Sequence, residues 1–304
     1  MSGPDAISLR TVLSAYPHTD ALRSGALGST TVRLDLQEVS PVHRAFAPMV
    51  REQAYDLCEL ALVTALQAIA YGRPVVLLPA VVAARFQRGC LIAYRPRGVL
   101  RPSDLPGMRV GVRAYTQTTG MWVRAHLAED FGLDIARSHW ITHDPPHVEQ
   151  YRDPPFVLRV PGAKGTLDML RDGDIDAAIL GNDLPRGEEF VAVVPDAQER
   201  DLAWWRVHRF MPINHMVVAG AAACHDHPGA VRDAYALLRE ADRRAWPDTA
   251  GPDAPKPTLF GFQRLAGPLA WAIDACVKQG LLPRRLGVDE VFAPARALLG
   301  NAGD

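Results

Sequence analysis

The chain has 304 residues, 48% of them hydrophobic and 22% charged, with a formal net charge of −1. This is an ordinary globular composition, long enough for two domains or one large one with ample core. So even a balance excludes the basic excess of a nucleic-acid binder or of a protein drawn to anionic membranes, and leaves any functional charge local.

In chain order, a strand pattern over 8–15 runs into a short helix over 18–24 that stops at Gly25. The first twenty residues lack a charged stretch followed by an apolar one, so neither a signal peptide nor a membrane span is expected, and the expected location is cytoplasmic. A strand follows over 31–38, then a helix over 42–52 weakened by Pro48, a brief strand over 55–57 and a helix over 60–71 closed by Gly72. Short apolar strands are expected over 74–78 and 91–94. This alternation argues for an α/β unit with a largely parallel sheet.

A second α/β unit opens with a helical turn over 101–107 and a strand over 109–112, followed by a helix over 118–131 that ends at Gly132. Strands are expected over 140–142, 177–180 and 191–194, and a helix over 166–172. Residues 145–161 read as a proline-rich loop. A strand over 211–219 precedes a long helix over 228–246, a loop over 248–257, and closing helices over 265–279 and 288–299. One α/β unit thus interrupts another. The expected architecture is a two-lobed type II periplasmic-binding-protein-like fold with a ligand cleft between lobes. Residues 1–108 and 213–304 form the first lobe, and 109–212 the second. Ligands of open α/β sheets bind beyond the carboxyl ends of strands.

The polar residues at those ends are the site candidates. His18 follows the first strand, as an acid, base or donor, or else as part of a helix start. Glu59 interrupts the apolar run LCELALV, where a carboxylate needs a partner; the alternative is a carboxylate at a helix N-terminus. Arg85, Phe86, Gln87 and Arg88 place two guanidiniums around an aromatic ring, a set suited to a planar aromatic acid. Tyr115-Thr116-Gln117-Thr118 lies between a strand and a helix, where unpaired N–H groups bind anions. Asn182-Asp183 ends a strand of the second lobe, as ligand contacts or as turn formers. His215 sits inside the apolar strand MPINHMVV, as a ligand or catalytic group or as a satisfied core histidine. The four cysteines show no metal spacing, and Cys58 and Cys276 read as buried thiols. No metal site is expected.

Several segments together resemble the 4,5-dihydroxyphthalate decarboxylase family: His18-Thr19-Asp20-Ala21-Leu22, Tyr55 to Leu60, Arg109 to Val112 with Tyr115, Thr118 and Trp122-Val123-Arg124, His139-Trp140, Leu167 to Ile179, Pro212-Ile213 with His215, and Gln279 to Leu282 with Phe292-Ala293-Pro294. The chain departs from the family pattern at Gln87-Arg88, Arg113-Ala114, Asn182-Asp183 and Leu259-Phe260-Gly261. The resemblance implies a cofactor-independent decarboxylase acting on a hydroxylated aromatic carboxylic acid, in a cytoplasmic branch of the fold. Candidate catalytic groups are Glu59 as the base and His215 or His18 as the acid. Arg85, Arg88 and the Thr116–Thr118 N–H groups are candidate anchors. Rival expectations are a non-catalytic solute-binding protein for a small aromatic or carboxylate ligand, and another lyase or dehydratase. The expected partner is a small aromatic carboxylate, without nucleic acid or membrane; a homo-oligomer is also open.

Overall fold

The computed structural model describes residues 6–162, 164–181, 183–246 and 254–304. Contacts divide the chain into two units, one of Met1–Ala84, Ile213–Ile273 and Arg284–Asp304, the other of Arg85–Pro212 and Asp274–Pro283. In chain order the strands are β1 (Ile7–Val12), β2 (Val32–Leu36), β3 (Leu57–Ala61), β4 (Val75–Ala84), β5 (Leu91–Tyr94), β6 (Arg109–Val112), β7 (His139–Thr142), β8 (Val157–Arg159), β9 (Ala177–Ile179), β10 (Phe190–Ala192), β11 (Ile213–Gly220) and β12 (Leu259–Phe260).

The first unit carries the sheet β12-β4-β11-β3-β1-β2. Strands β2, β1 and β3 are parallel, and β11 runs antiparallel to both β3 and β4. The inner strands β3 and β4 are near-continuous apolar runs, as expected of strands covered on both faces. Strand β4 is ten residues long, where a short strand over 74–78 was expected. Pro79 lies inside it. The β4–β11 register shifts between Met216 and Val218, opposite Pro79, and this bulge absorbs the missing N–H donor. The Pro79 carbonyl still accepts from the Gly261 N–H at 3.0 Å.

The second unit carries the sheet β10-β5-β9-β6-β7-β8. Ile92, Met169, Leu170, Ile175, Ala178 and Leu180 form one of its apolar clusters. The helix Thr118–Phe131 buries Met121, Trp122, Val123 and Leu127. On β6, a Cβ at Gly111 would run into Ile175 Cδ1, so only glycine lets that side chain pack there. The helix Ala197–His208 lies where no element was expected, and β8 lies within the expected loop over 145–161.

The unit boundary differs from the expected lobes in two places. Residues 85–108 belong with the second unit, because β5 pairs with β9 and β10. Residues 274–283 also join it, because Gln279 accepts from Arg124 Nε at 2.8 Å and donates to the Met121 carbonyl at 2.9 Å. Most of the loop expected over 248–257 lies outside the described residues.

Candidate functional site

In the first unit, one end of the sheet gathers Ser14, Tyr16 and His18 after β1, Glu59 on β3 and His215 near the start of β11. The β11–β3 register pairs Val217 with Glu59 and His215 with Ala61. His215 is therefore the diagonal neighbour of Glu59 on the same sheet face, within reach of a long side chain. Register shifts on both sides of His215 in the β4–β11 pair aim its ring.

Glu59 is completely buried. Its Oε1 accepts from the Tyr16 hydroxyl at 2.6 Å and lies 2.6 Å from His215 Nδ1. Its Oε2 accepts from the Ser14 N–H at 2.8 Å. Burial alone would raise the Glu59 pKa. The hydrogen bond and charge of His215 oppose that, joined by the bonds from Tyr16 and Ser14, and the net direction is down. Glu59 is thus an anion held by three donors. It sits within a strand, not at a helix start, because the helix begins only at Leu62. Its oxygens are occupied, so the role of phenol base expected from the sequence gives way to that of orienting His215.

With Nδ1 turned to Glu59, His215 keeps Nε2 free of any hydrogen bond among the described residues. Its ring and that of Phe46 pack nearly perpendicular, with centroids 5.4 Å apart. A carboxylate holding one imidazole nitrogen while the other stays open is the arrangement of a general acid–base histidine.

His18 lies on a loop tied by Thr19, whose hydroxyl accepts from the Tyr16 N–H at 2.8 Å and donates to the Ser14 carbonyl at 2.7 Å. The cap position of the following short helix is Thr19. The His18 ring stacks on Tyr16 at 5.0 Å and 11°. It is only 4% exposed, yet neither ring nitrogen has a hydrogen-bond partner of good geometry, the contact with the Val82 backbone being a poor one. Burial lowers its pKa, partly offset by Asp242, the Val82 backbone, Glu59 and Asp20. A buried neutral imidazole without a well-formed hydrogen bond is costly.

The second unit holds a separate polar corner. Arg85 Nη2 donates to Thr119 Oγ1 at 3.0 Å, while its buried Nε has no partner. Gln117 precedes the helix Thr118–Phe131 without capping it, and its Oε1 is also buried and unpartnered. Gly181 lies between them: a Cβ there would stand 3.5 Å from both Arg85 Nη2 and Gln117 Nε2, and 3.6 Å from Asp183 Oδ1. Arg85, Gln117 and Asp183 thus converge, joined by the opening turn of a helix, whose N–H groups favour anions.

The remaining candidates have other positions. Arg88 is buried, with Nε and Nη2 on Asp130 at 2.7 and 2.9 Å and Nη1 on Asp201 at 2.8 Å. Burial disfavours its charge, but the two carboxylates outweigh it and hold the pKa up. It is an internal ion-pair centre and not a ligand anchor. Tyr115 is a core residue whose hydroxyl donates to the Gln279 carbonyl at 3.2 Å and whose ring carries Arg124 at 3.9 Å. Thr116 and Thr118 are buried, and Phe86 is half-buried. Asn182 lies outside the described residues. Among the described residues no cluster of His, Cys, Asp and Glu is placed to hold a metal, and no helix is long and apolar enough to cross a membrane.

No protein-family model matches the chain. Over 278 residues it is 26% identical to the 4,5-dihydroxyphthalate decarboxylase of Comamonas testosteroni, which covers 81% of this chain and 84% of that protein. Over 139 residues it is 30% identical to the 4,5-dihydroxyphthalate decarboxylase of Pseudomonas putida, over 42% of this chain and 53% of that one. In sequence the chain is thus similar to two proteins named as decarboxylases, and by sequence it groups with enzymes. Among solved structures, the periplasmic aliphatic sulphonate binding protein of Escherichia coli matches with a TM-score of 0.60 at 13% identity, over 95% of this chain and 92% of that one. This match carries the fold alone, the α/β fold of the periplasmic binding proteins.

Sequence reasoning missed Tyr16, the residue that joins Glu59 to His18. Its only signal was an aromatic hydroxyl at the end of the first strand pattern. Asp130 and Asp201 were missed as well; they lie 42 and 113 residues from Arg88, beyond the reach of any local pattern.

Proposed function

We propose that the chain is a cofactor-independent decarboxylase acting on a hydroxylated aromatic carboxylic acid like 4,5-dihydroxyphthalate. The observation that carries this reading is His215, held through Nδ1 by the buried Glu59 carboxylate and open at Nε2.

An electron-rich ring needs no external electron sink. Its hydroxyl pushes density toward the carbon bearing the carboxylate, and protonated His215 transfers the Nε2 proton to that carbon. The bond to the carboxylate then breaks, its electron pair restores the aromatic ring, and CO₂ leaves. His215 ends neutral and regains a proton from solvent. Glu59 stabilises the imidazolium without touching the substrate. His18, neutral and without a well-formed hydrogen bond, offers one to a substrate oxygen. The separate polar corner of Arg85 and Gln117 in the second unit is, taken by itself, suited to a carboxylate.

Purified protein incubated with 4,5-dihydroxyphthalate should release CO₂ and 3,4-dihydroxybenzoate in equal amounts. A ligand that binds tightly and returns unchanged would favour a receptor instead.

A further inference from the structure

The two histidines of the first unit meet at one side chain. The Tyr16 hydroxyl donates to Glu59 Oε1, the same oxygen that faces His215 Nδ1, both at 2.6 Å. The Tyr16 ring lies flat against His18, with centroids 5.0 Å apart. A carboxylate oxygen has two lone-pair directions. With one filled by the phenol, the other is fixed on Nδ1, while the Ser14 N–H stops the carboxylate from turning over.

We propose that Tyr16 is a positioning residue that couples the two histidines: its hydroxyl locks Glu59 so that His215 carries its proton on Nδ1 and presents Nε2, and its ring face fixes the plane of His18. The link to turnover rests on the decarboxylase reading; the link to the histidine tautomer does not. The other titratable groups around this array are Cys58, beside Glu59 on β3, and Asp20 and Asp242, which act on His18. Phe46, packed against His215, does not titrate.

The hydroxyl and the ring act on different partners, so two substitutions separate them. Tyr16→Phe removes the hydroxyl and keeps the ring. Tyr16→Leu removes both. Nitrogen-15 NMR of the histidine rings reads the tautomers with no substrate present. In the unsubstituted protein neutral His215 should be the Nδ1–H form. In Tyr16→Phe the His215 Nδ1 proton should exchange faster, with the His18 signals unmoved; in Tyr16→Leu both histidines should shift. In kinetics, Tyr16→Phe should lower kcat about 10-fold, the worth of one hydrogen bond to a charged group, with KM changed by less than about twofold. The acid limb of the pH profile should move upward, because Glu59 loses one of the bonds that favour its charged form. Tyr16→Leu should raise KM as well.

The proposal is overturned if Tyr16→Phe leaves the Nδ1 proton exchange unchanged, or if it leaves the pH profile unchanged in an active enzyme. Absence of turnover in the unsubstituted protein would remove the decarboxylase reading and leave the NMR test of Tyr16 intact. The near-isosteric Phe variant carries the test if the Leu variant does not fold.

Discussion

Glu59→Gln isolates the buried anion with almost no change of shape. Three donors converge on the carboxylate: the Tyr16 hydroxyl and His215 Nδ1 at one oxygen, and the Ser14 N–H at the other. A glutamine must place its NH₂ against one of these sets. Turned toward Ser14, it sets two donors against each other. Turned toward Oε1, it confronts two. Either way at least one buried donor loses its partner, at about 1–3 kcal/mol, and the imidazolium of His215 loses its counter-charge. For a domain of this size that corresponds to a fall in Tm of roughly 2–10 °C. Turnover should fall by about 10²-fold or more, within the range for general acid–base groups. The stability effect should depend on pH in a definite sense. The native Glu59 pKa is lowered, so its contribution is full above the ordinary carboxylate range and fades as pH falls through the native value. Thermal unfolding of both proteins from pH 7 down to pH 3 reads this directly: the Tm gap should narrow with acid. A Tm gap independent of pH, or a glutamine variant with undiminished turnover, would refute the assignment of Glu59 as a stabilising anion behind His215.

Other substitutions test neighbouring claims. His18→Phe keeps a ring to stack on Tyr16 and removes two buried nitrogens without a well-formed hydrogen bond, so it should raise stability by about 1 kcal/mol while weakening substrate binding, read by calorimetric unfolding and by titration. Because the native His18 pKa is lowered, the unfolded chain binds the extra proton as pH falls below about 6.5, and His18→Phe should remove that part of the acid sensitivity. Arg85→Ala should cut the affinity for phthalate about 10- to 100-fold, the worth of a charge-assisted carboxylate contact, with little loss of Tm, since among the described residues its side chain makes one hydrogen bond, to Thr119; isothermal titration and a melting curve check the two halves. Arg88→Met should do the reverse, costing about 3–5 kcal/mol in chemical unfolding by stranding Asp130 and Asp201.

Glu59 was legible as an anomaly, a carboxylate inside an apolar run with no local explanation. His215 was legible in the same way, as an imidazole inside an apolar strand. What joined them was not visible, because the contact spans 156 residues and depends on the antiparallel pairing of β11 with β3. Arg85 and Arg88 looked equivalent in sequence. They differ only because Asp130 and Asp201 fold onto one and not the other. The length of β4 was hidden by Pro79, which local rules read as a strand end and which a bulge in β4 itself accommodates. The helix Ala197–His208 was hidden by its polarity, since only Asp201, Trp204 and Trp205 are buried. The alternation of strands and helices was the robust signal, carried by many residues at once.

The central claim is that His215 Nε2 delivers a proton to the ring carbon that loses CO₂. Turnover of 4,5-dihydroxyphthalate in heavy water tests it most directly. The account predicts one deuterium per product molecule, at the carbon vacated by the carboxylate, and loss of that turnover in His215→Ala while phthalate still binds. Recovery of unchanged ligand from the intact protein, or equal deuterium incorporation by His215→Ala, would contradict it.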